Sequence, residues 1–244
     1  MKSCLMKTCR LLCYVLTLPL ILMQITGLRA IYKRLFPFLA YNITFSYNDK
    51  MHKTKRELFR NVATFANAEG TLRLLEIGCG SGANFQFYPD GCRVLCTDPN
   101  PHFHKYLRMS MNASPHLTYD DFLVVSAENL EGVRDESVDV VVGTLVLCSV
   151  RSVPPVLREV RRILRPGGAF YFLEHVVSAP DSWTFFFQQV LEHLWYHVGD
   201  GCRITRATWT DLETAGFSDI HLTHIEAQEV TVLVRPHIMG YAIK

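Results

Sequence analysis

Glu76, Gly78, Gly80 and Gly82 stand at alternate positions in "LLEIGCGSGANFQFYP", Leu74 to Pro89, and Asp98 closes the next apolar run. Glycines tolerate positive φ and let a ligand approach the main chain closely. An acid at the tip of a second strand can accept both hydroxyls of a ribose. Two ligands satisfy this pattern. Gly78, Gly80 and Ala83 also spell the G-x-G-x-x-G/A dinucleotide fingerprint, with Asp98 as its ribose acid. Glu76, just ahead of the turn, suits a cationic amino group better than a pyrophosphate. Ala127-Glu128-Asn129 follows a later apolar run, where an adenine edge would lie. A second set of reactive types sits further along: Thr144 to Cys148 after one β-branched run, and Glu174-His175 at the end of another. Cys148 has no charged neighbour in sequence and reads as a small packed hydrophobe rather than a nucleophile.

The elements that must position these residues alternate. "RLLEI" reads as a buried strand running through the glycine turn into a helix. "RVLC" (Arg93–Cys96) reads as the second strand, "PHFHKYLRMSMN" as a helix with Pro101 in its first turn, and Phe122 to Val125 as the third strand. "VDVVVG", Val138 to Gly143, has the continuous β-branched character of a strand covered on both faces. "VPPVLREVRRIL" places apolar residues at helical spacing, "RPGG" breaks it, and "AFYFLEH" is the fifth strand. Helices over 182–198 and 206–215 and strands near 220–225 and 238–243 complete the pattern. This alternation predicts an α/β fold with a doubly wound, mostly parallel sheet, which binds ligands beyond the carboxyl ends of its strands. In "SWTFFFQQVLEHLWYHV", Trp183, Phe186, Phe187, Val190, Leu191, Leu194 and Val198 form one face, expected to meet the core. Phe185, His193 and Tyr196 are left over for a lid or an acceptor pocket.

Glu76 with the glycine turn, Asp98, Ala127-Glu128 and "LRPGG" (Leu164–Gly168) together resemble the class I S-adenosylmethionine-dependent methyltransferases. The likeness narrows further. "RELFR", "GANFQFYPDGCRVLCTDPNPHF", "DVVVGTLVLCSV", "VLREVRRILRPGGAFYFLEHV", "DGCRITR" and "RPHIMGYAIK" resemble the methyltransferase-like 7 family, thiol S-methyltransferases anchored to endoplasmic reticulum and lipid droplets, across almost the whole chain. The resemblance implies a Rossmann-like seven-stranded sheet with a final antiparallel strand, S-adenosylmethionine as cofactor, and an alkyl thiol as acceptor. It implies that Gly78, Gly80 and Gly82 pass against the methionine and ribose parts, that Glu76 orients the loop, that Asp98 takes the ribose hydroxyls, that Ala127 and Glu128 flank the adenine, and that Thr144 lies near the transferred methyl. Ser81 stands where relatives have Thr. A sulfonium already carries a good leaving group, so alignment supplies much of the rate. At a thiol pKa near 8.5 about 3% is thiolate at pH 7, and a base would raise that fraction. His175 is the candidate base, with Glu174 beside it to orient or polarise. The rival readings are a methyltransferase of a lipid, protein or amine, a nicotinamide-dependent oxidoreductase, and a non-catalytic lipid-droplet coat protein with a vestigial pocket.

The N-terminal part differs in kind. Residues 1–60 hold eleven Lys and Arg against Asp49 and Glu57, whereas the remaining fourteen basic residues face twenty-one acids, so the net charge of +2 hides a basic head on an acidic body. "LLCYVLTLPLILMQITGL", Leu11 to Leu28, carries no charge and spans about 27 Å as a helix, near the lower limit for a bilayer. Pro19 could bend or split it. Basic flanks on both sides leave its orientation open. The reading adopted is a membrane anchor over 1–34, an interfacial segment and leading helix over 35–70, and the catalytic domain over 71–244. The competing readings are a cleaved leader, for which Ile25 to Arg29 is a poor cleavage site, and a buried core helix. The basic run Lys50–Arg60 is expected to meet anionic headgroups or solvent rather than nucleic acid. The eight cysteines include no C-x-x-C pair. Their spacing supports neither a disulfide framework nor a zinc site, so no metal is expected and the domain is placed in the reducing cytosol, with the sequons at Asn42 and Asn112 unglycosylated.

Overall fold

The structure, a computed structural model, describes residues 2–25 and 28–244, with side chains for 5–22 and 28–244. Thr26 and Gly27 of the cleavage-site reading lie outside the described residues. Among the described residues there are seven strands: β1 Arg73–Ile77, β2 Arg93–Thr97, β3 Thr118–Leu123, β4 Val138–Thr144, β5 Leu164–His175, β6 Asp219–Glu226 and β7 Pro236–Ile243. They form one sheet in the order β3-β2-β1-β4-β5-β7-β6. β7 runs antiparallel to both neighbours and the other adjacent pairs are parallel. β4 is buried on both faces from Val138 to Gly143 and is apolar but for Asp139, whose carboxylate pairs with Arg73 and Arg165. Strand order reverses between β1 and β4, and there the carboxyl ends of adjacent strands diverge to leave a cleft.

The helices are α1 Lys2–Ile25, α2 Leu28–Lys50, α3 His52–Leu58, α4 His104–Asn112, α5 Val153–Ile163, α6 Trp183–Val198 and α7 Thr208–Thr214. α5 shows the clearest two-faced pattern: Val153, Val156, Leu157, Val160 and Ile163 are all buried against the sheet. Pro19 and Pro37 are carried inside α1 and α2, and Pro19 does not split α1.

Five sequence expectations shift. The fifth strand, expected from Ala169, begins at Leu164 and takes in the residues read as a break, with the ladder to β4 irregular there. The strand expected at Phe122–Val125 is β3, earlier by four residues at its start. It is an edge strand with few buried positions, so hydrophobicity marked it poorly. The leading helix expected from Asn48 to Gly70 breaks into the end of α2, the short α3, and a 3₁₀ turn at Val62–Phe65. The glycine turn does not enter an α-helix. After Gly82 the chain makes only a 3₁₀ turn at Phe85–Phe87, because Asn84 is drawn into side-chain bonds and Pro89 follows closely. The α6 face expected to meet the core is partly outward: Trp183, Phe187 and Val198 are exposed, and Gln188 is the one residue of α6 buried outright. α6 packs against α1 instead, with Tyr14 on His193 at 4.0 Å between ring centroids. Among the described side chains of α1, a stripe through Met6, Cys9, Cys13, Thr17, Leu20 and Ile21 is turned inward and the others are exposed.

Candidate active site

Gly78, Gly80 and Gly82 have φ of 54°, 51° and 77°, values an L side chain adopts at a cost. Gly78 is also closely abutted: a Cβ there would stand 2.7 Å from Val146 of the loop after β4. The turn is therefore locked to the loop carrying Thr144 to Cys148. Short of a helix N-terminus it offers no dipole for a pyrophosphate, and the dinucleotide reading loses its main physical support.

Glu76 is fully buried beneath the turn. It accepts hydrogen bonds from Asn84 Nδ2 at 2.8 Å and from the Tyr88 hydroxyl at 2.8 Å. Burial pushes its pKa up to about 7, against Tyr88, Asn84 and Lys55, which favour the anion. Asn84 Nδ2 also reaches Thr144 Oγ1 at 2.9 Å, so Glu76 and Thr144 are bridged by one amide. Lys55 lies inside the same knot, donating to Asn84 Oδ1 at 2.8 Å and Asn48 Oδ1 at 2.6 Å. Burial brings its pKa down to about 8, with Glu76 pulling the other way. Lys55 thus departs from the expectation for the basic run: it is 2% exposed and touches neither solvent nor headgroups. Sequence reasoning missed Asn48, Lys55, Asn84 and Tyr88, and the spacing of polar residues in an otherwise apolar segment was the only signal available.

Asp98 ends β2 at the mouth of the turn. It accepts from Gly80 N at 3.1 Å and Asn100 N at 2.8 Å, and burial lifts its pKa to about 6 against those two donors. Above it, Asn100 Nδ2 donates to Lys33 O of α2 at 2.9 Å, and Lys33 Nζ pairs with Asp200 at 2.7 Å. Tyr32 adds a bond to Val198 O at 2.7 Å. α2 and the loop after α6 are thereby clasped together on the Asp98 side of the cleft. Ala127 is buried in the loop after β3. Glu128 beside it accepts from Ser126 Oγ at 2.6 Å and Ser152 N at 3.0 Å, tying that loop to the start of α5.

The other half of the cleft lies past β4 and β5. Glu174 is wholly buried and accepts the backbone N–H of Val146, Leu147 and Cys148 at 2.8, 2.9 and 3.2 Å. Its carboxylate is thus committed to the loop rather than to His175. His175 points Nε2 at Cys202 Sγ, 3.0 Å away, and its buried Nδ1 has no hydrogen-bond partner. Trp195 Nε1 donates to the same sulfur at 3.2 Å. The Cys148 thiol is pushed well up by Cys202 beside it and by burial, which agrees with packing rather than nucleophilic attack. His237 faces His175 edge-on at 6.3 Å. Burial lowers its pKa to about 4, so it is neutral; Nδ1–H donates to Arg235 O at 3.0 Å and Nε2 accepts from the Tyr47 hydroxyl at 3.0 Å. Tyr47, Cys202 and His237 were also missed, since each comes from a segment distant in sequence.

A glycine turn with three left-handed residues and a buried carboxylate at the β2 tip fits a ribose-bearing, cationic cofactor, and the sheet order is that of one enzyme class. The fold and site define a class I S-adenosylmethionine-dependent methyltransferase. Residues 75–172 match the Methyltransferase domain family. Thiol S-methyltransferase TMT1A of Homo sapiens is 53% identical over 212 residues, 87% of this chain and 87% of its own length. Thiol S-methyltransferase TMT1B of Homo sapiens is 51% identical over 236 residues, 96% of this chain and 97% of its length. The chain belongs to this thiol S-methyltransferase family, and its cofactor is S-adenosylmethionine. Among solved structures, a SAM-dependent methyltransferase of Thermotoga maritima superposes with a TM-score of 0.56 at 17% identity, over 88% of this chain and 98% of that one, which is a likeness of fold.

Proposed function

We propose that this enzyme transfers the methyl group of S-adenosylmethionine to the sulfur of small, lipophilic alkyl thiols at a membrane surface, on the cytosolic face of the endoplasmic reticulum and on lipid droplets. The thiol acceptor is supported by the two relatives of 53% and 51% identity, both thiol S-methyltransferases. The surface is supported by one observation. Large exposed apolar side chains gather on α1 (Leu11, Leu12, Leu16), α2 (Leu35, Phe38, Ile43) and α6 (Trp183, Phe187). Within α1, Leu5–Leu22 is long and apolar enough to cross a bilayer, yet it also packs on α6. α2 and α6 reach the acceptor half of the cleft through Tyr47 and Trp195, and α1 packs on α6.

In this reading Asp98 accepts the ribose hydroxyls, Gly78, Gly80 and Gly82 carry the backbone against the cofactor, and Glu76 holds the turn through Asn84 and Tyr88. Ala127 and Glu128 border the adenine. Thr144 and the loop after it, fixed by Glu174, line the methyl-transfer position. S-Adenosylmethionine supplies an electrophilic methyl on a cationic sulfur. The protein supplies alignment and an environment with little water around the incoming sulfur. The sulfur lone pair forms the new C–S bond as the donor C–S bond breaks, and the thiol proton leaves to solvent.

The test is transfer of labelled methyl from S-adenosylmethionine to hexanethiol, glutathione and hexanol by the full chain in micelles. Hexanethiol is expected to be methylated far faster than either. Equal turnover of glutathione removes the lipophilic preference, and hexanol turnover with no thiol product overturns the acceptor assignment.

A further inference from the structure

We propose that Cys148, His175 and Cys202 form a three-ligand zinc site whose fourth position takes the acceptor thiol. The inference rests on the thiol reading for that fourth ligand alone. The three ligand atoms lie within 4.8 Å of one another, the one such group of three among the described residues. They come from the loop after β4, the end of β5 and the loop after α6, so no sequence spacing betrays them. β4 and β5 are paired up to Thr144 and Leu173, which brings Cys148 and His175 together at the carboxyl end of these central strands.

The frame around them is already built. Glu174 accepts the N–H groups of residues 146–148, and Arg206 donates to Leu147 O and, at 3.0 Å, to Val150 O. Arg203 N donates to Cys148 O at 2.9 Å, joining the two cysteine loops. Trp195 Nε1–H is aimed at Cys202 Sγ, the kind of outer hydrogen bond that steadies a metal-bound thiolate. A base role for His175 is the poorer explanation. Its Nε2 is already turned to the Cys202 sulfur, and the Glu174 carboxylate that could orient it is taken up by the backbone N–H groups of residues 146–148.

Two sulfurs and an imidazole are a donor set for Zn²⁺, and three protein ligands leave one position open, as in catalytic zinc sites. Tetrahedral ligand atoms stand about 3.5–3.8 Å apart at zinc's usual bond lengths. The 3.0 Å between His175 Nε2 and Cys202 Sγ must therefore open by about 0.5 Å, and the widest pair must close by about 1 Å. The cluster is buried, and of its three residues Cys202 alone is partly exposed, so the 201–203 loop is the nearest route to the fourth position. Val146, two residues before Cys148, touches the Gly78 turn, which sets the cluster next to the cofactor.

Zinc bound by two thiolates and a neutral imidazole carries no net charge. An incoming thiol forms a Zn–S bond and releases its proton to buffer, since a coordinated thiol is deprotonated. The complex then bears one negative charge facing the cationic sulfonium. The bound sulfur's lone pair makes the S–CH₃ bond, the donor S–CH₃ pair collapses onto the sulfonium sulfur, and the thioether product, a weaker ligand, leaves the metal.

The experiment uses the full chain in detergent micelles, purified without chelators after zinc loading and dialysis. About one zinc per chain is expected, falling to near zero in Cys148→Ser and Cys202→Ser. S-Adenosylmethionine affinity should stay within about threefold, which shows that the variants are folded. Cobalt in place of zinc should give thiolate charge-transfer absorption that shifts on adding hexanethiol and not hexanol. No bound zinc in the wild type, or equal zinc in both cysteine variants, overturns the site. A metal-free chain that methylates hexanethiol at the wild-type rate, or a cobalt spectrum indifferent to it, overturns the fourth position. A chain that holds zinc yet methylates no thiol supports the site and overturns the thiol reading.

Discussion

The two halves of the cleft are built by opposite strategies. The proposed cofactor half is drawn mainly from one short run of chain, Glu76 to Asp98, in which a strand end, a glycine turn and the next strand tip stand together, with Asn48 and Lys55 entering from outside it. The acceptor half assembles Tyr47, Cys148, His175, Cys202 and His237 from five segments. The first half is polar and acidic, with Glu76 and Asp98 held buried by directed N–H and O–H donors. The second is sulfur and imidazole, with the buried Glu174 carboxylate committed to the backbone of residues 146–148. A common donor needs a fixed grip that local sequence can encode, whereas an acceptor pocket is shaped by whatever the periphery brings to it.

The contrast can be broken first at Asp98. Asp98→Ala removes an acceptor of two charge-assisted bonds and strands the Gly80 and Asn100 N–H groups, so affinity for S-adenosylmethionine should fall by about 100-fold or more. Calorimetric titration reads it, and NADH should show no binding to either chain. Undiminished affinity in the variant would end the assignment of the cofactor half. Next comes Gly78→Ala, which puts a Cβ at φ 54° and 2.7 Å from Val146. Strain of about 1–3 kcal/mol implies a loss of about 10-fold to 100-fold in cofactor affinity. Adding Val146→Ala should recover part of it, since the clash goes and the strained φ remains. No recovery would show that the two halves are not coupled through this contact.

A third handle is pH. Asp98 must be ionised to accept both hydroxyls, and its pKa is lifted to about 6 by burial, against Asn100 and Gly80. Cofactor affinity should be level above about pH 7 and fall by up to about tenfold per unit well below pH 6. The sign for the free protein is opposite. A folded pKa above the unfolded one contributes stability below about pH 4 that is lost as pH rises through about 6. Thermal melts with and without cofactor between pH 5 and 8 should therefore diverge as pH rises, and parallel curves would contradict the role of Asp98. The smallest effect is expected at the clasp. The Lys33–Asp200 pair is partly exposed, so Lys33→Ala should cost no more than about 1 kcal/mol and speed cofactor release a few-fold. Stopped-flow release rates would show it, and an unchanged rate would mean that α2 does not gate the ribose side.

What the sequence made legible follows the same division. β1, β2, β4 and β5 were plain because buried parallel strands are continuous apolar runs, and the glycine turn and Asp98 stand where those runs end. β3 was misplaced because an edge strand keeps polar residues such as Asp120 and Asp121. Lys55 looked like one cation in a solvated run. Only the fold reveals that Asn48 and Asn84 receive it beside Glu76. Cys202 was unreadable for a different reason: its partners His175 and Trp195 depend on how α6 turns back toward β5.

α1 lies along α6, with the Tyr14 ring tilted against His193 and a narrow stripe of Cys13 and Thr17 facing inward. α6 leads directly into the loop that bears Asp200 and Cys202. The N-terminal helix is thus a fastening within the catalytic body and not a leash trailing from it. Shortened versions beginning after Leu28, made for convenience of handling, would strip the brace from α6 and slacken both the clasp over the nucleoside and the sulfur beneath it.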